Sequence, residues 1–352
     1  MQQQIIKSND PVNELEGILQ DVTFDRLFIL VDEHTRQYCL PLLEEAPQIT
    51  RATKIVIPPD DTHKTLENLE RVWKTLTHGG ATRHSLLINL GGGMVTDLGG
   101  FAAATFKRGI RYINIPTTLL GAVDAAVGGK TGINFEGYKN EIGAFYPSLY
   151  VIVSSDFFHT LGRSAILSGY AEMVKHALIH SETDWSELLS FPLDTPDWGC
   201  LNEMVFRSIE IKRQIVEKDP FEKGIRKALN FGHTAGHAFE SDAIGKGDPV
   251  PHGYAVAWGM MVELYLSHRL CGFPKEKVQS TVRFIREQYD AHPIACDDYE
   301  RLYEITLHDK KNSGNAISFT LLSDIGAVHI DQTADKELLF EALDFYRDSV
   351  GL

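Results

Sequence analysis

Three histidines mark where this chain could do chemistry. His233 and His237 stand four residues apart in HTAGHAFE, and His252 follows a glycine-containing loop in PHGYAVAWGM. If HTAGHAFE is helical, an i,i+4 spacing points both imidazoles the same way. His252, between Pro251 and Gly253, falls where another helix would start. Imidazole nitrogens suit Zn²⁺, and a catalytic zinc takes three protein ligands and keeps one position open. The plainer alternative is that these histidines pack or hydrogen-bond inside a helical domain; the flanking Arg226 and Asn230 weigh against it.

Thr234 occupies the second position of the His-x-x-x-His spacing, so the glutamate base of a zinc protease is missing and that chemistry is excluded. Other charges sit in settings too apolar for solvent. SGYAEMVKHALI puts Glu172, Lys175 and His176 on one helical face among Ala171, Met173, Val174, Ala177 and Leu178. A surface ion pair there would be worth only about 0.3–0.5 kcal/mol; a buried Glu172 would need a cation. Asp124 and Lys130 are isolated in GAVDAAVGGKTGIN and need partners, each other or a ligand. YKNEIGAF adds Lys139 and Asn140, the helical segment 202–218 adds Arg207, Lys212 and Arg213, and Lys310 and Lys311 precede a glycine turn near the C-terminus.

The elements that must position these residues follow from the apolar pattern. LFILVD, KIVIP, SLLINL, YINIP and YVIVS read as buried parallel strands at Leu27, Lys54, Ser85, Tyr112 and Tyr150. The segment 65–78 carries apolar residues at helical spacing. SLLINL runs into GGGMVTDLGGFAAATF, a strand, glycine loop and alanine-rich helix whose backbone N–H groups could receive phosphate. It is neither GxGxxG nor a Walker A loop, and a tight turn is the alternative. Strands alternating with helices to about residue 155 predict an α/β domain with a mostly parallel sheet, a nucleotide lying at the strands' carboxyl ends. Beyond residues 156–163 the pattern turns helical. The expected domains are therefore 1–158, Rossmann-like and nucleotide-binding, and 159–352, mostly α-helical and metal-binding.

A chain of 352 residues exceeds the usual single core, which agrees with two domains. Apolar runs fall far short of the roughly 18 residues that span a bilayer, and MQQQIIKSNDP lacks the features of a signal peptide. The four cysteines show no paired spacing, which suits free thiols in a reducing, cytoplasmic setting. The formal net charge of −14 argues against nucleic acid and anionic membranes as partners, while local basic clusters still permit an anionic small substrate.

GGGMVTDLGGF, KRGI, IPTTLLGAVDAAVGGKTGIN, KNEIGAFY, SGYAEMVKH, R-x-x-LNFGHTAGHAFE and HGYAVAWGM occur in that order. With them the chain, from about Leu27 to about Gly326, resembles the 3-dehydroquinate synthases, a family of sugar-phosphate cyclases. The resemblance implies an NAD-binding first domain and a helical second domain holding a divalent metal, usually zinc, with cobalt as another candidate. By matching positions it implies Glu172, His233 and His252 as metal ligands and moves His237 to the substrate. Asp124, Lys130, Asn140, Lys175, Arg226 and Asn230 would join His237, with Arg108 and one of Lys310 or Lys311. NAD would meet Asp32, Lys64, Gly92, Gly93, Asp97, Thr117, Thr118, Lys130 and Lys139. The implied reaction converts 3-deoxy-D-arabino-heptulosonate 7-phosphate to 3-dehydroquinate and phosphate, a step of the shikimate pathway to aromatic amino acids. It runs through transient oxidation at C5, β-elimination of phosphate, return of the hydride and an intramolecular aldol closure. A homodimer is implied on the same ground.

Some positions depart from the family pattern. Asp60-Asp61 stands for the usual Gly-Glu after KIVIP, His34 for Asn, and Thr96 for the glycine before Asp97. The rival readings are another sugar-phosphate cyclase and a metal-dependent polyol dehydrogenase. The dehydrogenases carry a lysine three residues after the Asp, where this chain has Gly100.

Overall fold

The computed structural model describes residues 3–136, 138–307 and 317–352. It divides into two compact units, Met1–Gly162 with Trp198–Ile209, and Arg163–Asp197 with Glu210–Leu352. The expected cut at 158 assigned Trp198–Ile209 to the second domain, and here it belongs to the first unit. Lys7 explains part of this: its ammonium pairs with Glu203 and lies 5.4 Å from the centre of the Phe206 ring. One helix, Trp198–Lys218, thus contributes to both units, which a reading in chain order does not reveal.

The first unit contains β1 (Gln4–Lys7), β2 (Leu27–Asp32), β3 (Thr53–Ile57), β4 (Leu86–Gly91), β5 (Arg111–Pro116), β6 (Lys130–Phe135), β7 (Tyr138–Phe145) and β8 (Tyr150–Val153). Six of them form one sheet in the order β1-β8-β5-β4-β2-β3, with every neighbouring pair parallel. Every residue of β2 and β4 is buried, as expected of strands covered on both faces. The Leu66–His78 helix lays Leu69, Val72 and Leu76 on this core. After β3 the chain returns across β2 to form β4, so the direction of winding reverses between β2 and β4. The crevice at the carboxyl ends of such strands is where a nucleotide binds in open α/β sheets. β6 and β7 make a separate antiparallel hairpin. The short edge strand β1, paired with β8, was too brief a pattern to read beforehand.

Among its described residues, the regular structure of the second unit is helical apart from the antiparallel hairpin of β9 (Ser318–Asp324) and β10 (Ala327–Thr333). The His252–Cys271 helix is its centre, packed on Arg163–Leu178, His233–Gly245, Lys336–Val350 and β9. None of the helices is long and apolar enough to cross a membrane, among the described residues.

Candidate active site

Two glycine contacts assemble the centre of the second unit. A Cβ on Gly253 would lie 1.9 Å from the Ser168 carbonyl oxygen, and one on Gly259 would lie 2.0 Å from that of Gly232. The His252–Cys271 helix can therefore lie backbone to backbone against the elements bearing Glu172 and His233. As a result Glu172, His233 and His252 bring one donor atom each within 4.8 Å of one another. His237 shares the neighbourhood, its ring centre 5.5 Å from that of His233 and 6.1 Å from that of His252, but the described donor group contains Glu172 in its place.

The imidazoles are already oriented for a metal. His233 Nδ1 lies 3.1 Å from the Phe231 carbonyl oxygen and His252 Nδ1 3.3 Å from Glu240 Oε2. Carbonyl and carboxylate oxygens only accept, so both Nδ1 atoms donate, and in the neutral rings both Nε2 atoms carry the free lone pair. Those Nε2 atoms lie 3.4 and 3.6 Å from Glu172 Oε1. That oxygen is sealed from solvent, accepts no hydrogen bond, and belongs to a residue with 0% exposure. A carboxylate so placed is costly without a cation between it and the imidazoles; the donor set fits a divalent metal.

Burial alone would raise the Glu172 pKa, but Lys175, its ion-pair partner one turn on, and His233 hold it well below the usual carboxylate range. For His252, burial opposes protonation, yet Glu172 and Glu240 outweigh it and push the pKa up to about 10, so in the metal-free chain Nε2 carries a proton that a bound metal would displace.

Two supporting carboxylates went unread in the sequence. Glu240 orients His252. Glu263, with 0% exposure, accepts from the backbone N–H groups of Gly232 at 2.7 Å and Ala235 at 3.1 Å, at the start of the His233–Gly245 helix. A lone acid in the apolar run MVELYL was the available signal, the same one that singled out Glu172.

Lys175, Arg226, Asn230 and His237 also fall in this unit. Lys175 is 1% and Arg226 2% exposed. Arg226 and Asn230 share the short 3₁₀ segment Ile225–Asn230, and Arg226 Nη1 donates to the Pro220 carbonyl at 2.6 Å. Asn230 Nδ2 donates to Glu222 Oε1 at 2.8 Å, beside a small cavity also lined by Lys227, Thr234 and Thr320. Lys310 and Lys311 lie outside the described residues.

In the first unit the expected nucleotide residues gather at the sheet's carboxyl ends. Asp32 ends β2 and caps the Glu33–Tyr38 helix through Thr35. Gly92 and Gly93 follow β4 at the start of the Gly93–Thr105 helix, and Thr117 and Thr118 follow β5. A Cβ on Gly92 would come within 3.0 Å of Thr118 Cγ2, so glycine lets the two turns close on each other. Lys64, 4% exposed, pairs with Asp97 at 3.2 Å and Asp61 at 3.0 Å, and Asp61 reaches Lys139 at 3.7 Å. Burial raises the Asp97 pKa to about 6 against the pull of Lys64. Asp61, one methylene shorter than the expected glutamate, thus ties two of these lysines together. Thr96 donates its hydroxyl to the Gly93 carbonyl at 3.1 Å and so fits inside the turn.

Asp124, Lys130, Asn140 and Arg108 are in the first unit as well. Asp124 sits half-buried in the π-helical turn Gly121–Ala125, and Lys130 begins β6. Asn140, on exposed β7, has a φ of 51° and donates its backbone N–H to Asn134 Oδ1 at 3.0 Å. Arg108 is exposed on a turn where Lys107, Arg108 and Gly109 all have positive φ.

Solved enzymes of more than one chemistry share this fold. A solved 2-epi-5-epi-valiolone synthase from Streptomyces hygroscopicus subsp. jinggangensis, with NAD⁺ and Zn²⁺ bound, superposes with a TM-score of 0.84 over 99% of this chain and 97% of its own, at 22% identity, a likeness of fold. Sequence narrows the class. The 3-dehydroquinate synthase N-terminal model matches residues 54–168 and the C-terminal model residues 169–312. A 3-dehydroquinate synthase from Parabacteroides distasonis is 53% identical over 351 residues, covering 100% of this chain and 99% of that protein. One from Streptococcus pyogenes is 36% identical over 97% of this chain and 95% of its own. The chain belongs to the 3-dehydroquinate synthase family.

Proposed function

We propose that this chain converts 3-deoxy-D-arabino-heptulosonate 7-phosphate into 3-dehydroquinate and inorganic phosphate, as a carbon–oxygen lyase dependent on NAD and a divalent metal. The observation that carries the reading is Glu172 Oε1, buried without a hydrogen bond and faced by His233 and His252 Nε2. Glu172, His233 and His252 would hold the metal. Asp32, Lys64, Gly92, Gly93, Asp97, Thr117, Thr118, Lys130 and Lys139 would hold NAD. When bound, NAD⁺ takes up and returns a hydride and the metal polarises the hydroxyl undergoing oxidation.

The remaining residues bind and orient. Arg226 offers a rigid fork of donors to a carboxylate or phosphate, and Lys175 in its own unit, with Lys130 and Arg108 in the other, supplies further positive charge for an anionic substrate. That cationic group reconciles an anionic substrate with a net charge of −14. Asn140, Asn230 and His237 fix hydroxyl and carboxylate orientation, and Asp124 is a further polar anchor. The departing phosphate itself would take the C6 proton, with Asp124 left as an anchor; an Asp124→Asn enzyme that keeps most of its turnover would agree with that assignment.

Chelator-stripped protein tests this. Phosphate and dehydroquinate should appear only when both NAD⁺ and Zn²⁺ or Co²⁺ are restored, and Arg226→Ala should lose most of the turnover while retaining its metal. Turnover by the stripped protein alone, or an Arg226→Ala enzyme at full rate, overturns the reading. The family also suggests a homodimer in the cytoplasm; a monomer mass in light scattering would reject the dimer.

A further inference from the structure

Arg226 and Asn230 need a backbone that holds them, and the loop before them is built around one carboxylate. Asp219 Oδ1 accepts from the Lys223 N–H at 3.0 Å, and Oδ2 from the N–H groups of Gly224 at 2.7 Å and Arg226 at 3.1 Å. Three backbone N–H groups of one loop therefore converge on a single side chain just past the end of the Trp198–Lys218 helix. The loop is strained: Glu222 has a φ of 58°, a left-handed conformation that side chains other than glycine seldom adopt and that is retained when the surroundings impose it. This placement lets Glu222 Oε1 take the Asn230 amide N–H at 2.8 Å. A carboxylate can only accept, so it fixes which way the Asn230 amide is turned and leaves Oδ1 for a donor other than itself. Arg226 is held at both ends, its backbone N–H by Asp219 and its Nη1 by the Pro220 carbonyl.

We propose that Asp219 is the positioning residue of the substrate-anchoring segment, setting Arg226 directly and Asn230 through Glu222 without touching substrate itself. The backbone donors, Lys223 first, hold its carboxyl below the usual carboxylate range, as expected of an anion that organises N–H groups. The inference rests on the reading of Arg226 and Asn230 as substrate anchors. It adds to that reading a residue that neither the histidine spacing nor the cationic cluster pointed to.

Asp219→Ala and the near-isosteric Asp219→Asn are the test, assayed beside the wild type for kcat, KM, metal content and thermal midpoint. Misplacing an anchor by about 1 Å can cost roughly 100-fold, and a loss of that order in kcat/KM is expected for Asp219→Ala. Asp219→Asn should lose less, since one oxygen can still accept. Metal content should stay at the wild-type value in both, because the metal centre is built on other elements, and the thermal midpoint should fall by only about 2–4 °C with the loss of the backbone bonds. In an Arg226→Ala background Asp219→Ala should cost clearly less than in the wild type, what remains acting through Asn230, whereas independent sites would add in full. Wild-type kcat/KM in both Asp219 variants, a loss accompanied by loss of metal or fold in both, or additivity with Arg226→Ala overturns the inference while the wild type stays active. An inactive wild type overturns the functional reading itself.

Discussion

Asp60 shows how a single departure from the family pattern registers physically. Its φ of 74° and ψ of 150° lie in a region that is almost exclusively glycine's, and the resemblance places a glycine there. The residue leads into the 3₁₀ turn Asp61–His63, and Lys64 follows, so the strain sits beside a candidate nucleotide contact. Asp60→Gly should stabilise the protein by about 1 kcal/mol, since relief of such strain outweighs the extra freedom glycine gives the unfolded chain. Thermal unfolding would show this as a rise of roughly 2 °C, and an unchanged or lower midpoint would show that the surrounding loop tolerates Asp60 without strain. Gly100 makes the converse point. A Cβ there would lie 2.5 Å from Thr131 Cγ2, so the lysine that the polyol dehydrogenases carry at this position has no room in this chain.

At the level of elements, the metal centre depends on where the His233–Gly245 helix begins. Gly232, with a φ of 77°, ends the preceding chain, and Glu263 takes the N–H groups of Gly232 and Ala235, fixing the first turn and with it His233. Glu263→Gln replaces one acceptor with a donor facing an N–H, so that turn should loosen. Partners behind metal ligands commonly matter by about 10- to 100-fold in metal affinity, and a loss of Zn²⁺ affinity in that range is expected. Competition against a chromophoric chelator measures it directly, and wild-type affinity would remove Glu263 from the centre's support. This also explains what the sequence could not disclose. β2, β4 and β5 were legible because buried parallel strands are continuous apolar runs, whereas the His233–Gly245 helix was a supposition that two histidines four residues apart suited. The clamp by Glu263, and that by Asp219, are bonds to backbone N–H groups. Backbone donors have no letter in the sequence, so such bonds become visible only with the path of the chain.

For the molecule as a whole, the sheet and helical unit match proteins of different chemistry, and a likeness at 22% identity reports the fold alone. Ordered motifs carried the identification because they tie particular residues to particular positions in both units, and composition could only exclude partners. The distinction from a dehydrogenase is a matter of redox balance. A cyclase that oxidises and then reduces the same substrate consumes no NAD, whereas a dehydrogenase yields one NADH for each substrate oxidised. With NAD⁺ at less than one equivalent per substrate molecule, phosphate release should therefore run to completion, with no NADH absorbance accumulating. Glycerol or another simple polyol in place of the sugar phosphate should yield neither phosphate nor NADH. Phosphate release that halts when the NAD⁺ is spent would mean that the hydride is not returned. Steady NADH production from a polyol would place the chain with the dehydrogenases despite Gly100.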